Sequence, residues 1–385
     1  NVYGTGTFTI PLMKKVGYTP HFAGAVEAVA STGGQMMPPI MGAAAFIMAD
    51  VIGVSYLTIA KAALIPSVLY YLTLLAIIHL EAVSKNMGTL PPELVPSAAS
   101  VLRRLYYLFP LVFLITILLM GRSVIACAYY GTVCIVILSM IRSETRFTFK
   151  RLCGALELSA KNAMMVSSCC ACAGIIIGVL NLTGTGLKFA SGIIALSGGI
   201  LPIALILTMG SSLILGMGLP TAAAYLICAA VIVPALTGLG VPALTGHLFI
   251  FYFACLSAIT PPVALAAFTA ASLGKTKPMG VALTAVRLGI VAFIVPFMFV
   301  YAPSLLWQGS LPEILGTLAT SLCGVFFLGS ALQGAFRDRV LNMGQRGLFL
   351  LGSLALIQPG LVTDLIGVGL VACALLWQWL GSRRG

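Results

Sequence analysis

Charge is what this sequence has least of: only 8% of its 385 residues are Asp, Glu, Lys or Arg, against about 25% in a soluble domain. From Phe189 to Gly274 there is none. Between charged positions lie apolar runs such as Ala28–Ala49, Ala62–Leu80, Ser123–Ile141, Asn162–Leu187 and Leu288–Pro312. Each reaches the ~18–20 residues that cross a bilayer core. Alternation at period two is missing as well, which excludes a barrel and leaves helices as the spanning structure. No Walker A motif is present, so ATP does not drive this protein. H-E-x-x-H, a nucleophile elbow and a spaced carboxylate pair are equally absent, which makes a polytopic membrane enzyme the weaker alternative. Nothing repeats as a filter ring, so a channel is weaker still. The ten cysteines form no paired C-x-x-C set, and no His lies near Cys169, Cys170 and Cys172; they read as small packing residues.

The charge that remains is basic, +12 net, and its placement argues against nucleic acid. Lys and Arg gather at Lys14–Lys15, Lys85–Arg104, Arg142–Lys161, Lys275–Lys277 and Arg337–Arg346, whereas the opposite loops carry Arg122 and Lys188 alone. That asymmetry places the first set on the cytoplasmic side. It requires Tyr18–Ile52 to cross once despite an interruption at Gly33–Pro39. It also requires Gly199–Leu236 to enter and leave on the outer side as a re-entrant hairpin. Glu81–Arg104 reads as a soluble connector, and Arg142–Lys161 as a connector ending in an amphipathic surface helix. Asp50, Lys61 and Arg287 lie near span ends and can snorkel. His21, His79 and His247 read as interfacial. Glu27 sits deeper, either functional or paired with a polar neighbour. The tail after Pro303 reads as an appended module.

An internal repeat organises the rest. Pro11, Pro38 and Pro39 recur as Pro234, Pro261 and Pro262, 223 positions on, with Gly17 on Gly240, Ala43 on Ala266 and Ala44 on Ala267. The local strings are MMPPIMGAAAF and AITPPVALAAF. The first copy opens inside and the second outside, so the two are inverted. That is how secondary transporters are built. In this register the first copy lacks a counterpart to Gly199–Ala223, so the chain is expected to begin partway through its first hairpin, as a fragment or a truncated product.

Two consecutive prolines remove two donors and block the helix before them. Carbonyls of Gly33–Met37 and Ser257–Thr260 should then lose their helical partners, tolerable at membrane depth only beside a cavity or ligand. With the hydroxyls of Ser31, Thr32, Ser257 and Thr260 they are hard, uncharged oxygens suited to Na⁺. The half-helices starting at Pro39 and Pro262 point positive ends inward, toward an anion. A third element, Gly216-Met217-Gly218-Leu219-Pro220-Thr221, reads as a hairpin tip that exposes backbone. A single Pro or Gly is ordinary in membrane helices; the placement of the set carries the reading. The candidate site is Thr32, Gly33, Gly34, Pro38 and Pro39 at the first break, Gly216, Gly218, Pro220 and Thr221 at the tip, and Ser257, Thr260, Pro261 and Pro262 at the second break. Na⁺ would be held through carbonyls near Gly33, Gly34, Gly216, Gly218 and Thr260, with no other cofactor.

The strings VEAVASTGGQMMPPIMGAAAFIMADVIGVSY, GMGLPTAAAYL and ITPPVALAAFTAAS resemble the large permease subunit of tripartite ATP-independent periplasmic (TRAP) transporters, in the fused form that works with TAXI-type receptors. The likeness runs from Asn1 to about Ala302. It implies an all-α polytopic fold of inverted repeats with re-entrant hairpins and broken helices, working as an elevator in a bacterial or archaeal cytoplasmic membrane. Residues 1–56 and 189–277 would form the moving transport domain, 57–188 the scaffold and connector, and 278–385 C-terminal helices and tail. Asn1–Gly6 would be the remainder of the first tip. Partners would be a periplasmic TAXI-type solute-binding protein and a small four-helix membrane subunit or its fused equivalent, with an organic acid as cargo and Na⁺ as coupling ion. A receptor-independent dicarboxylate or citrate symporter is the alternative. Ala222 and Ala224 depart from the Thr and Asn common in relatives.

Overall fold

The computed structural model describes residues 1–85, 87–88, 95–141, 145–336, 339–358 and 360–381. Parts of the two expected connectors (86, 89–94 and 142–144) and of the basic loop (337–338) lie outside these. Among the described residues the only strands are Ala335–Phe336 and Arg339–Val340, a short antiparallel pair; everything else of regular structure is helix. The protein is an all-α, multi-pass membrane protein.

The first copy comprises α1 (Val2–Val16), α2 (Pro20–Gly33), α3 (Ala43–Ile52) and α4 (Tyr56–Ser84). Thr19 accepts the Phe22 N–H and places Pro20 in the first turn of α2, the arrangement that starts a helix cleanly. Gly17 at φ 119° and Gly53 at φ 73° end α1 and α3 in left-handed turns. Next come α5 (Ala98–Leu102), α6 (Phe109–Leu119), α7 (Val124–Ser139), α8 (Phe149–Leu182), α9 (Thr185–Ser197) and α10 (Leu201–Gly216). The surface helix expected within Arg142–Lys161 is not separate: its residues from Phe149 are the first turns of α8, continuous with the span. No proline stands between Phe149 and Leu182, so the polar turns extend the span.

The second copy comprises α11 (Thr221–Gly238), α12 (Ala243–Leu256), α13 (Leu265–Gly274), α14 (Pro278–Leu288) and α15 (Ile290–Tyr301). At the repeat offset both ends of α2 fall on both ends of α12, and α3 falls within one residue of α13. Pro11 and Pro234 occupy matching positions inside α1 and α11. Both diprolines are cis. The copies interlock: α13 packs against α1 and α2, and α3 against α11 and α12. The second half of each broken helix thus lies on the other copy's preceding helix and on the first half of its broken helix. The resemblance implied a tip at Asn1–Gly6, but the helix starts at Val2. In register Val2 matches Tyr225, already inside α11, so these residues are helix and not a turn.

α4, α8, α11, α16 (Leu311–Gln333), Ala98–Leu119 and Pro278–Tyr301 are each long and apolar enough to cross a membrane. α11 thus qualifies as a span by length, and it packs on α10 across the turn after Gly216. The tail is less of an appendage than expected. α16 packs along α4, and Ile314, Val325 and Leu328 join the main core. Gln333 Nε2 donates to Glu81 Oε2, and Arg287 donates to Gln333 Oε1 at 2.8 Å. Lys85 pairs with the other Glu81 oxygen. α4, α14 and α16 are stitched together at what the charge pattern makes the cytoplasmic end. Beside this cluster, burial first and the Glu81 carboxylate second push the Tyr18 phenol above its ordinary range. Lys61 lies 5.6 Å over the Trp307 ring.

α17 (Met343–Ile357) and α18 (Leu361–Gly381) complete the tail through glycine contacts. A Cβ on Gly352 would stand 3.1 Å from the Gly367 carbonyl, and one on Gly367 2.7 Å from Leu356. Close backbone approach of this kind holds helices together in lipid. Gly352→Leu or Gly367→Leu should destabilise the tail by roughly 1–3 kcal/mol, lowering the thermal midpoint in detergent. Gly369→Leu, where nothing lies within 4 Å, should leave it unchanged.

Candidate functional site

At the first break α2 ends with Thr32 and Gly33, and the chain turns through Gly34, Pro38 and Pro39 before α3. The lost helical bonds are largely replaced. The Gly33 carbonyl accepts from the N–H groups of Met36 and Met37, and the Gln35 carbonyl from Gly42 at 2.8 Å. Ser67 Oγ donates to the Met36 carbonyl at 2.7 Å. Tyr70 Oη and Tyr71 Oη add second donors, at 2.6 and 2.7 Å, to the Val29 and Ala30 carbonyls of the last turn of α2, where Ala30 also accepts from the Gly34 N–H at 3.2 Å. Tyr56 Oη serves the Pro39 and Ile40 carbonyls. The Gly34 carbonyl takes no hydrogen bond from the described residues, and the buried Thr32 hydroxyl beside it has no partner.

Those four hydroxyls were not anticipated, because α4 reads as a plain apolar run. Their spacing was visible: positions 67, 70 and 71 share a helix face, and 56 lies three turns back on it. Glycine at 33 follows from the same packing, since a Cβ there would stand 2.2 Å from the Tyr70 ring.

The second break is closed differently. The Ala258 carbonyl, which matches Gln35 in register, accepts from the Ala266 N–H at 2.9 Å. Ser257, the cap of α12, donates to Ala254 at 2.8 Å or to the Gly216 carbonyl of the tip at 3.1 Å. A Cβ on Gly216 would meet Ser257 Oγ at 2.8 Å, so glycine lets the tip sit on the break. Gly218 takes φ 76°, the left-handed turn that favours glycine, and faces Val263 just past the prolines. Pro220 precedes α11 and Thr221 opens it. The Thr260 hydroxyl turns back to Leu256 at 2.7 Å. The Ile259 and Thr260 carbonyls accept nothing from the described residues.

The tip residues are thus brought onto the second break. The first break meets the second copy indirectly, through Ser67 Oγ at 3.4 Å from Tyr252 Oη of α12. Two expectations change. Ser31 does not serve the break: its hydroxyl donates to Glu27 at 2.9 Å. His247 is not interfacial, because α12 turns it toward α11, where it is buried with Nδ1 2.7 Å from Tyr225 Oη.

Tyr70→Phe should remove the second hydrogen bond to the buried Val29 carbonyl and cost about 0.5–1.5 kcal/mol, seen as a lower thermal midpoint in detergent. Tyr3→Phe, on an exposed side chain, should be neutral; equal midpoints for the two would sink this account of the first break.

No curated protein matches the chain. The family model for the tripartite ATP-independent periplasmic transporter, DctM component, matches residues 1–314, a span that holds both breaks, the tip and all of the repeat. The chain belongs to the DctM family of TRAP transporter permeases.

Proposed function

We propose that this chain is the carrier of a Na⁺-coupled importer in a bacterial or archaeal cytoplasmic membrane. Its cargo is an organic acid, a carboxylate, handed to the outer face by a periplasmic solute-binding protein of the TAXI type. A small four-helix membrane subunit, or a fused equivalent, completes the complex. The observation that carries this reading is the joint between the Gly216–Thr221 tip and the second break. There the buried Ser257 hydroxyl sits within reach of the Gly216 carbonyl of the tip, and the neighbouring Ile259 and Thr260 carbonyls have no donor among the described residues. Such oxygens suit Na⁺, a hard cation. The first break offers a smaller set, the Gly34 carbonyl and the Thr32 hydroxyl. The starts of α3 and α13 bring positive helix ends toward the breaks, which favours a carboxylate. Transport follows from movement of the two breaks, the tip and α4, whose hydroxyls hold the first break, as an elevator against the remaining helices, with ion binding closing the tip over the cargo.

The test is uptake of labelled mono- and dicarboxylates by proteoliposomes holding the chain with its membrane partner subunit. Uptake should require both a Na⁺ gradient and the receptor. Uptake without Na⁺ overturns the coupling, and uptake without receptor favours a self-sufficient dicarboxylate-type symporter. Gly218→Leu and Pro261→Leu should each abolish uptake with insertion intact; normal uptake in both removes the site assignment.

A further inference from the structure

Glu27 is 5% exposed on α2. Thr5 Oγ1 donates to its Oε1 and Thr9 Oγ1 to its Oε2, both from α1, and Ser31 Oγ donates to Oε1 at 2.9 Å. Gly6 permits this approach of α1 to α2, since a Cβ there would stand 3.2 Å from Glu27 Cγ and 3.0 Å from Leu273 of α13. No described cation pairs with the carboxylate. Lys14 of α1 donates to the Gly274 carbonyl, His21 of α2 bonds Thr276, and α13 carries no charged residue. The ion pairs among the described residues are Lys85–Glu81 and Lys161–Glu157. A buried carboxylate at membrane depth without a counter-charge is costly and marks function.

Each threonine hydroxyl has one proton and a second acceptor within reach at the start of the chain or on α1. Thr5 Oγ1 lies 3.2 Å from the Asn1 carbonyl, and Thr9 Oγ1 3.1 Å from the Thr5 carbonyl. Turning those protons onto the backbone aims oxygen lone pairs at the space beside the carboxylate. The two carboxylate oxygens and the hydroxyl oxygens beside them are all hard ligands, with a single negative charge. A monovalent ion neutralises that charge and a divalent one exceeds it. We propose that Glu27, Thr5, Thr9 and Ser31 form a Na⁺ site separate from the diproline breaks, and that the ion ties the α1 arm to the first broken helix. The choice of Na⁺ rests on the Na⁺-coupled reading above.

Equilibrium binding of radioactive sodium to the purified chain, without cargo or receptor, tests it. Glu27→Gln should weaken one binding component by about tenfold or more, while Ser257→Ala at the second break leaves that component in place. Thr9→Val should weaken it and Thr9→Ser should keep it, a comparison that decides the matter if Glu27→Gln fails to fold. Wild-type affinity in Glu27→Gln, equal affinity in the two Thr9 variants, no Na⁺ bound by the wild type, or equal competition by K⁺ would each overturn the site. Na⁺-independent uptake alongside intact Glu27-dependent binding would instead remove the coupling reading and leave the site standing.

Discussion

A backbone carbonyl inside a bilayer has no water to turn to, and leaving one without a donor costs several kcal/mol. Each diproline creates a group of such carbonyls at the depth where they are least tolerable. Much of this fold answers that demand. The chain folds back so that the carbonyls of Gln35 and Ala258 are met by N–H groups beyond the prolines, and each half-helix is braced on the opposite copy. Glycine stands at 33 and 216 because side chains that contact the breaks come too close for a Cβ. The carbonyls left over after this accounting are few, and they cluster where ligand chemistry is expected.

The repeat was legible because its constraints are local and covalent. Proline at fixed spacing, glycine at a turn and the length of an apolar run are properties of the string. The offset read from Pro38 and Pro261 therefore predicts helix ends to within a residue. Membrane class was legible for a related reason, since lipid acts on composition. The breaks and the tip could be named from backbone chemistry alone.

What stayed hidden depends on one helix meeting another. Ser31 could be read as a ligand at the break or as a neighbour of Glu27, and only the approach of α1 at Gly6 decides it. His247 near a helix start looks interfacial until α11 supplies Tyr225. The hydroxyl face of α4 was written at helical spacing, yet nothing in that run says which carbonyls it will meet. The tail was underestimated because its polar anchor pairs residues far apart in sequence, Glu81 with Gln333.

The two copies share a backbone and differ in how they satisfy it. At the repeat offset the hydroxyl-bearing Tyr56, Ser67, Tyr70 and Tyr71 fall on Met279, Ile290, Phe293 and Ile294, none of which has a hydroxyl. Conversely Ser257, which reaches the tip, falls on Gly34. The first break is therefore tied to α4 by side chains, while the second is tied to its own hairpin. Each of these ties constrains motion. Sliding the first broken helix away from α4 would break the bonds of four hydroxyls together, from Tyr56, Ser67, Tyr70 and Tyr71, at about 1 kcal/mol each. Opening the tip at Gly216 gives up one shared bond. The same sequence divergence that blurs the repeat thus ties the first break to α4 through four side chains and the second to its tip through one.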